Sequence, residues 1–191
     1  TVVFCKRGGV PTHEGEITVR SGRTSDLQAC RLIENDAAVI FRTIGMSAID
    51  DDPPTDLAML DEASRDGRLW VACDSNDVPV GFAYTRSIDD CPHIQELAVL
   101  HACQRRGIGA RLIEAIAGAA RRTGAEAVTL TTFGDVPWNG PYYGRLGFRT
   151  LAANELSAAL RKVFAEEETL GLDVSRRVAM RLDLRASIAM R

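Results

Sequence analysis

Ile17-Thr18-Val19-Arg20 alternates apolar and polar residues, the period of a half-buried strand. Apolar residues then recur at Leu27, Cys30, Ile33, Ala37 and Ile40, the spacing of one helix face. Ser25-x-x-Gln28 ahead of them reads as a capping box, so the chain opens with strand then helix. The run Ile49-Asp50-Asp51-Asp52-Pro53-Pro54 cannot extend that helix, because prolines lack the N–H and the aspartates repel. A second helix is expected from Asp56 to Arg65. Three extended segments follow, Arg68 to Cys73, Val80 to Arg86 and His93 to Val99. The turn signals Asp74-Ser75-Asn76-Asp77 and Asp89-Asp90-Cys91-Pro92 separate them, which predicts an antiparallel meander.

A helical period resumes at Ile108, with Leu112, Ile113, Ile116, Ala119 and Ala120 on one face and Gly124 as its stop. Ala127 to Thr132 is apolar and β-branched, hence a strand. A short helix over Pro141 to Leu146 leads through Gly147-Phe148 into another strand. A helix from Asn154 to Glu167 and a last strand over Val178 to Leu182 complete the pattern. Glu166-Glu167-Glu168 opposes the negative end of a helix dipole and leaves that helix boundary open. Residues 1–16 carry Gly8-Gly9 and Pro11 without a period and read as a loose arm. Residues 17–185 form the expected folded domain, and 186–191 its tail.

With 191 residues, 46% of them hydrophobic and 26% charged, the chain suits one packed core. The net charge of −3, without a cluster of Lys and Arg, argues against nucleic acid as a partner. No apolar run approaches the roughly 20 residues that span a bilayer. Thr1 to Glu16 has no signal-peptide core, so the expectation is a cytoplasmic protein with no membrane partner. The five cysteines show no CxxC or Cys/His spacing, which predicts free thiols and no metal site.

The segment His93 to Val99 runs into Gln104-Arg105-Arg106-Gly107-Ile108-Gly109-Ala110 where the helical period begins. Glycines at 107 and 109 permit positive φ and close approach of backbone N–H groups to a ligand. Those N–H groups and the helix dipole suit a pyrophosphate. A triphosphate loop would need GxxxxGK[ST], and no lysine follows. A dinucleotide fingerprint would need Gly or Ala where Leu112 stands, so both of these readings weaken.

Gln-x-x-Gly-x-Gly, preceded by Leu97-Ala98-Val99-Leu100-His101, resembles the coenzyme A motif of the GCN5-related N-acetyltransferase (GNAT) superfamily. Tyr143-Gly144-Arg145-Leu146-Gly147-Phe148 is similar to that superfamily's Tyr-x-x-x-Gly-Phe segment, and the resemblance covers Ile17 to Leu182. It implies an α/β fold whose mixed, mostly antiparallel central sheet is flanked by helices and splayed at the acetyl-CoA site. It further implies that backbone groups of Leu97, Ala98 and Val99 pair with the pantetheine arm, facing the strand at Val128. The N–H groups of Arg105, Arg106, Gly107, Ile108, Gly109 and Ala110 would hold the pyrophosphate, Gln104 opens the same coenzyme-binding motif, and Arg105, Arg106 or Arg111 would add charge. Tyr143 would stand at the sulfur and protonate the departing thiolate. The asparagine common seven residues before the tyrosine is Val136 here, with Asn139 as the candidate replacement contact. The strand position where some members keep a glutamate base is Thr131.

Transfer to an amine needs the amine neutral, hence a base or a water chain that removes a proton. Glu96 is the first candidate, on the face of its strand opposite Leu97. His93, on the parity of Gln95, and Asp135, after a strand's end, are the others. Asp50 to Asp56 falls where the superfamily builds its acceptor pocket, and Trp138 and Tyr142 either wall that pocket or pack as core. The expected function is acetyl transfer from acetyl-CoA to the amine of a small molecule or peptide by direct attack. An acyl-CoA-binding regulatory module of the same fold is the alternative, and a homodimer pairing through the last strand is compatible with either.

Overall fold

The computed structural model describes residues 15–46 and 54–184. The arm up to residue 14, the aspartates of the acidic turn at 50–52 and the tail lie outside the described residues. Chain order is β1 (Thr18–Ser21), α1 (Leu27–Ala38), α2 (Leu57–Arg65), β2 (Leu69–Cys73), β3 (Pro79–Ile88) and β4 (Cys91–Val99). It continues with α3 (Ile108–Arg122), β5 (Ala127–Phe133), α4 (Gly140–Arg145), β6 (Arg149–Thr150), α5 (Ala158–Thr169) and β7 (Arg177–Asp183). The strands form one sheet in the order β1-β2-β3-β4-β5-β7-β6, antiparallel at every step except β4–β5. This is the expected mixed, mostly antiparallel sheet with helices on both faces.

Local chemistry moves several boundaries. The cap of α1 is not Ser25: a 3-10 turn, Thr24–Asp26, comes first, and the Asp26 carboxylate accepts the Arg23 N–H at 2.8 Å. The same carboxylate takes two bonds from Arg20, so one buried acid serves both groups. The β3–β4 connection is tighter than expected. Asp89 (φ 50°) and Asp90 (φ 59°) are both left-handed, the requirement of a two-residue hairpin turn, and Cys91-Pro92 already belongs to β4. The helix expected from Asn154 is split into a 3-10 turn at Ala153–Glu155 and α5, which Ser157 caps by accepting the Leu160 N–H at 3.0 Å. The three glutamates do not end α5, because Glu166 pairs with Arg86 and Glu167 with Arg177.

Two packed faces result. Leu112, Ile113 and Ile116 of α3 bury Ile94, Val128 and Leu130 on one side of the sheet. Leu27, Cys30 and Ile33 of α1 and Leu60 of α2 cover Val71, Phe82, Tyr84 and Ala98 on the other. α5 covers the far half of that second face with Leu160 and Val163. Among the described residues no helix is long and apolar enough to cross a membrane.

A bulge then breaks the sheet's regularity at the point that concerns function. Tyr84 pairs with Glu96 and Thr85 with Ile94, which leaves Gln95 as the extra residue. Pairing of β4 with β5 is confined to His93–Thr129 and Ile94–Leu130, so the strands part where the bulge begins. The splay therefore opens against Thr131 to Phe133, whereas Val128 lies on its closed side.

Candidate active site

The turn entering α3 is built from two left-handed residues, Arg105 (φ 61°) and Gly107 (φ 77°), the latter being the helix N-cap. The first helical bond is Arg111 N–H to the Gly107 carbonyl at 3.1 Å. The N–H groups of Gly107, Ile108, Gly109 and Ala110 thus have no acceptor within the helix, and the positive end of the dipole adds to them. Gln104 ties the turn to β4 through Nε2 and the Val99 carbonyl at 3.4 Å. Gly109 is not a positive-φ position, contrary to expectation. Its missing Cβ matters instead for packing, since that atom would lie 2.6 Å from the Tyr142 hydroxyl and 3.4 Å from Leu97 Cδ2.

Leu97, Ala98 and Val99 pair with Ala83, Phe82 and Gly81 of β3, and their β5-side edge faces the splay. α4 carries two tyrosines to this opening. The Tyr143 N–H bonds to the Asn139 carbonyl at 3.0 Å, which makes Asn139 the start of that helix. The Tyr143 ring meets Tyr142 edge-on at 5.3 Å and Phe148 at 5.7 Å. Burial, and then the charge of Glu96, push the Tyr143 phenol well above its usual range, so it remains a proton donor.

Glu96 lies opposite Tyr84 and on the other face from Leu97, as its parity predicts. Burial, and next the charge of Glu34, push its carboxyl up to about 8, against the Leu97 N–H and Arg177. Glu34 of α1 is itself shifted upward by burial, despite accepting the Thr55 N–H and hydroxyl at 3.0 and 2.9 Å. It was missed in the sequence, although a carboxylate four residues after Cys30 and one after Ile33 borders the buried stripe. Tyr84 is pushed up to about 12 by burial and by Glu96.

The other candidates fall into structural roles. His93 is fully buried, bonded through Nδ1 to Thr129 Oγ1 at 2.9 Å, and burial pushes it down to about 3. It stays neutral at physiological pH and is no base. The bulge also undoes its expected parity with Gln95: His93 opposes Arg86 and Glu96 opposes Tyr84, so those two share a face. Asp135 is clasped by Arg176 at 2.7 and 3.0 Å, and Asp56 caps α2 by accepting the Ala58 N–H at 2.7 Å. Trp138 packs edge-on against Phe41 at 6.0 Å. Cys30, Cys73, Cys91 and Cys103 are free and buried.

Thr131 is not without a carboxylate. α5 brings Glu167 to it, and the Thr131 hydroxyl donates to that acid. Arg177 binds the two Glu167 oxygens at 2.7 Å each and stacks 4.8 Å over the Phe133 ring.

The structure thus combines an open sheet, a splayed parallel step and a glycine-capped helix at the mouth of that splay. The profile of the Acetyltransferase (GNAT) family matches residues 33–148, and the chain belongs to that family. Solved structures of the same fold include a GNAT-family acetyltransferase from Staphylococcus aureus Mu50. It is 17% identical, with a TM-score of 0.67 over 89% of this chain and 100% of that one. The PaiA N-acetyltransferase from Thermoplasma acidophilum, in complex with coenzyme A, is 14% identical, with a TM-score of 0.63 over 88% and 99%. The ribosomal-protein-S18-alanine N-acetyltransferase from Escherichia coli is 17% identical, with a TM-score of 0.61 over 92% and 99%.

Proposed function

We propose that the chain transfers an acetyl group from acetyl-CoA to an amine by direct attack. The observation that carries this reading is the β4–β5 splay, with first-turn N–H groups of α3 that have no acceptor within the helix at its mouth, and with Glu96 on β4 and Tyr143 on α4 beside it. The first-turn N–H groups of α3 suit the coenzyme pyrophosphate, and Arg105 and Arg106 add charge beside it. The open edge of Leu97 to Val99 suits the amides of the pantetheine arm, added as a short extra strand. A coenzyme complex of the T. acidophilum neighbour accords with this donor.

The amine reaches the site from the face that α1 and α2 cover. An incoming ammonium gives one proton to the Glu96 carboxylate, and the freed lone pair attacks the thioester carbonyl. A backbone N–H on the Leu97 to Val99 edge stabilises the oxyanion. Collapse breaks the C–S bond, Tyr143 protonates the thiolate, and the phenol is replenished by the second proton leaving the nitrogen. The products are an N-acetyl amide, coenzyme A thiol and one proton on Glu96, later lost to solvent.

A thiol-release screen over amine classes with excess acetyl-CoA tests the proposal. Release that depends on an added amine is expected. A melting temperature raised by acetyl-CoA, with no release for any amine, would instead favour a binding module.

A further inference from the structure

Glu34 stands at the edge of the α1 face that packs on β3 and β4, between the buried stripe and solvent. Thr55 fixes it from the α1–α2 connection with two hydrogen bonds, at 3.0 and 2.9 Å. Tyr84 belongs to the buried cluster that Cys30 and Ile33 of α1 cover. Tyr84 is the direct cross-strand partner of Glu96. Glu34 with its Thr55 anchor, and Tyr84 with its partner Glu96, thus border the one sheet face that α1 covers. The Thr55 bonds tie the α1–α2 connection to α1, and they hold an acid at a half-buried helix edge where a neutral side chain would cost less to desolvate.

Resting on the proposed function, we propose that Glu34 is a positioning residue for the acceptor. Its held negative charge favours an amine arriving as a cation and keeps that cation where Glu96 takes its proton. Facing Glu96 are Glu34 from α1, Tyr84 from β3, Tyr143 from α4 and Arg177 from β7, the last already clasped by Glu167. Arg31, on α1, is the cation beside Glu34. Two like charges on one face raise each other's proton affinity, and a cation between them reverses that effect. The covalent step is unchanged: one ammonium proton passes to Glu96, and the N–C bond forms as the C–S bond breaks.

Carboxyl 13C NMR of the full chain, labelled at glutamate, reads Glu96 directly and needs no turnover. The wild-type midpoint is expected near 8. Glu34→Gln should lower it by about one unit or more, and Glu34→Asp, which keeps the charge, should restore it. Benzylammonium chloride should lower the midpoint in the wild type and not in Glu34→Gln, while benzyl alcohol leaves both unchanged. A midpoint unmoved by Glu34→Gln, or a benzylammonium effect that is absent or equal in the two proteins, would overturn the assignment. Failure of the amine screen alone would count against the proposed function and leave these arms readable.

Discussion

The Tyr142 hydroxyl occupies the space beside Gly109, 2.6 Å from where a Cβ on that glycine would be. The Tyr142 ring is itself held edge-on by Tyr143, so it cannot retreat without disturbing its neighbour. Gly109→Ala should therefore destabilise the protein by about 1–3 kcal/mol, the usual cost of overpacking. Tyr142→Phe should rescue it, because the next ring atom is 3.5 Å away, an ordinary contact. Urea unfolding of the two single variants and the double variant decides this. Gly107→Ala should cost about 1–2 kcal/mol for a different reason, its φ of 77°, and gain nothing from Tyr142→Phe.

Glu96 gives two pH signatures. As a base held near 8, it should produce a kcat/KM that rises with pH through that value, a limb that Glu96→Gln removes. Stability runs the other way. The folded carboxyl keeps its proton between its ordinary value of 4.5 and about 8 while the unfolded one has lost it, so stability falls as pH rises across that window. Glu96→Gln should flatten this slope and be the more stable protein above pH 8. Melting temperatures from pH 5 to 9 measure it, and parallel curves for the two proteins would contradict the burial argument.

Breaking the buried pair beside Thr131 should be costly. Arg177→Met leaves Glu167 with the Thr131 hydroxyl alone and should lose about 3–5 kcal/mol. Adding Glu167→Met removes the stranded charge and should recover much of that loss in urea unfolding. A double variant no better than the single one would mean that the pair organises its surroundings beyond its own charges.

Tyr143→Phe isolates the leaving-group step. Deleting that hydroxyl should lower kcat by roughly one to three orders of magnitude with acetyl-CoA affinity nearly unchanged, the mark of a transition-state interaction. Tyr142→Phe is the comparison, and a larger loss there would move the proton donor to the hydroxyl beside Gly109.

Much of this was legible in the chain. The stripe Leu27, Cys30, Ile33 and the meander gave the layers, and Gln104 to Gly109 with Tyr143 to Phe148 carry the family resemblance from which the candidate site is proposed. What escaped depended on long-range partners. The bulge at Gln95 arises from β3–β4 register, which no local pattern encodes, and it relocated the splay and the face of His93. The glutamates in the last turn of α5 oppose its dipole in the sequence, and Arg86 and Arg177, 80 and 10 residues from Glu166 and Glu167, supply the counter-charges in the fold. Glu34 carries no local signal, because Glu96, whose charge it meets, lies 62 residues away in sequence.

The central claim is that the acetyl carbon passes straight from sulfur to an amine nitrogen. Incubating the chain with acetyl-CoA labelled with 13C at the carbonyl, together with an amine chosen by the release screen, tests it in one 13C NMR time course. The account predicts an amide carbonyl signal growing in step with free thiol and no labelled protein. Labelled acetate in place of the amide, or label on the protein, would contradict direct transfer.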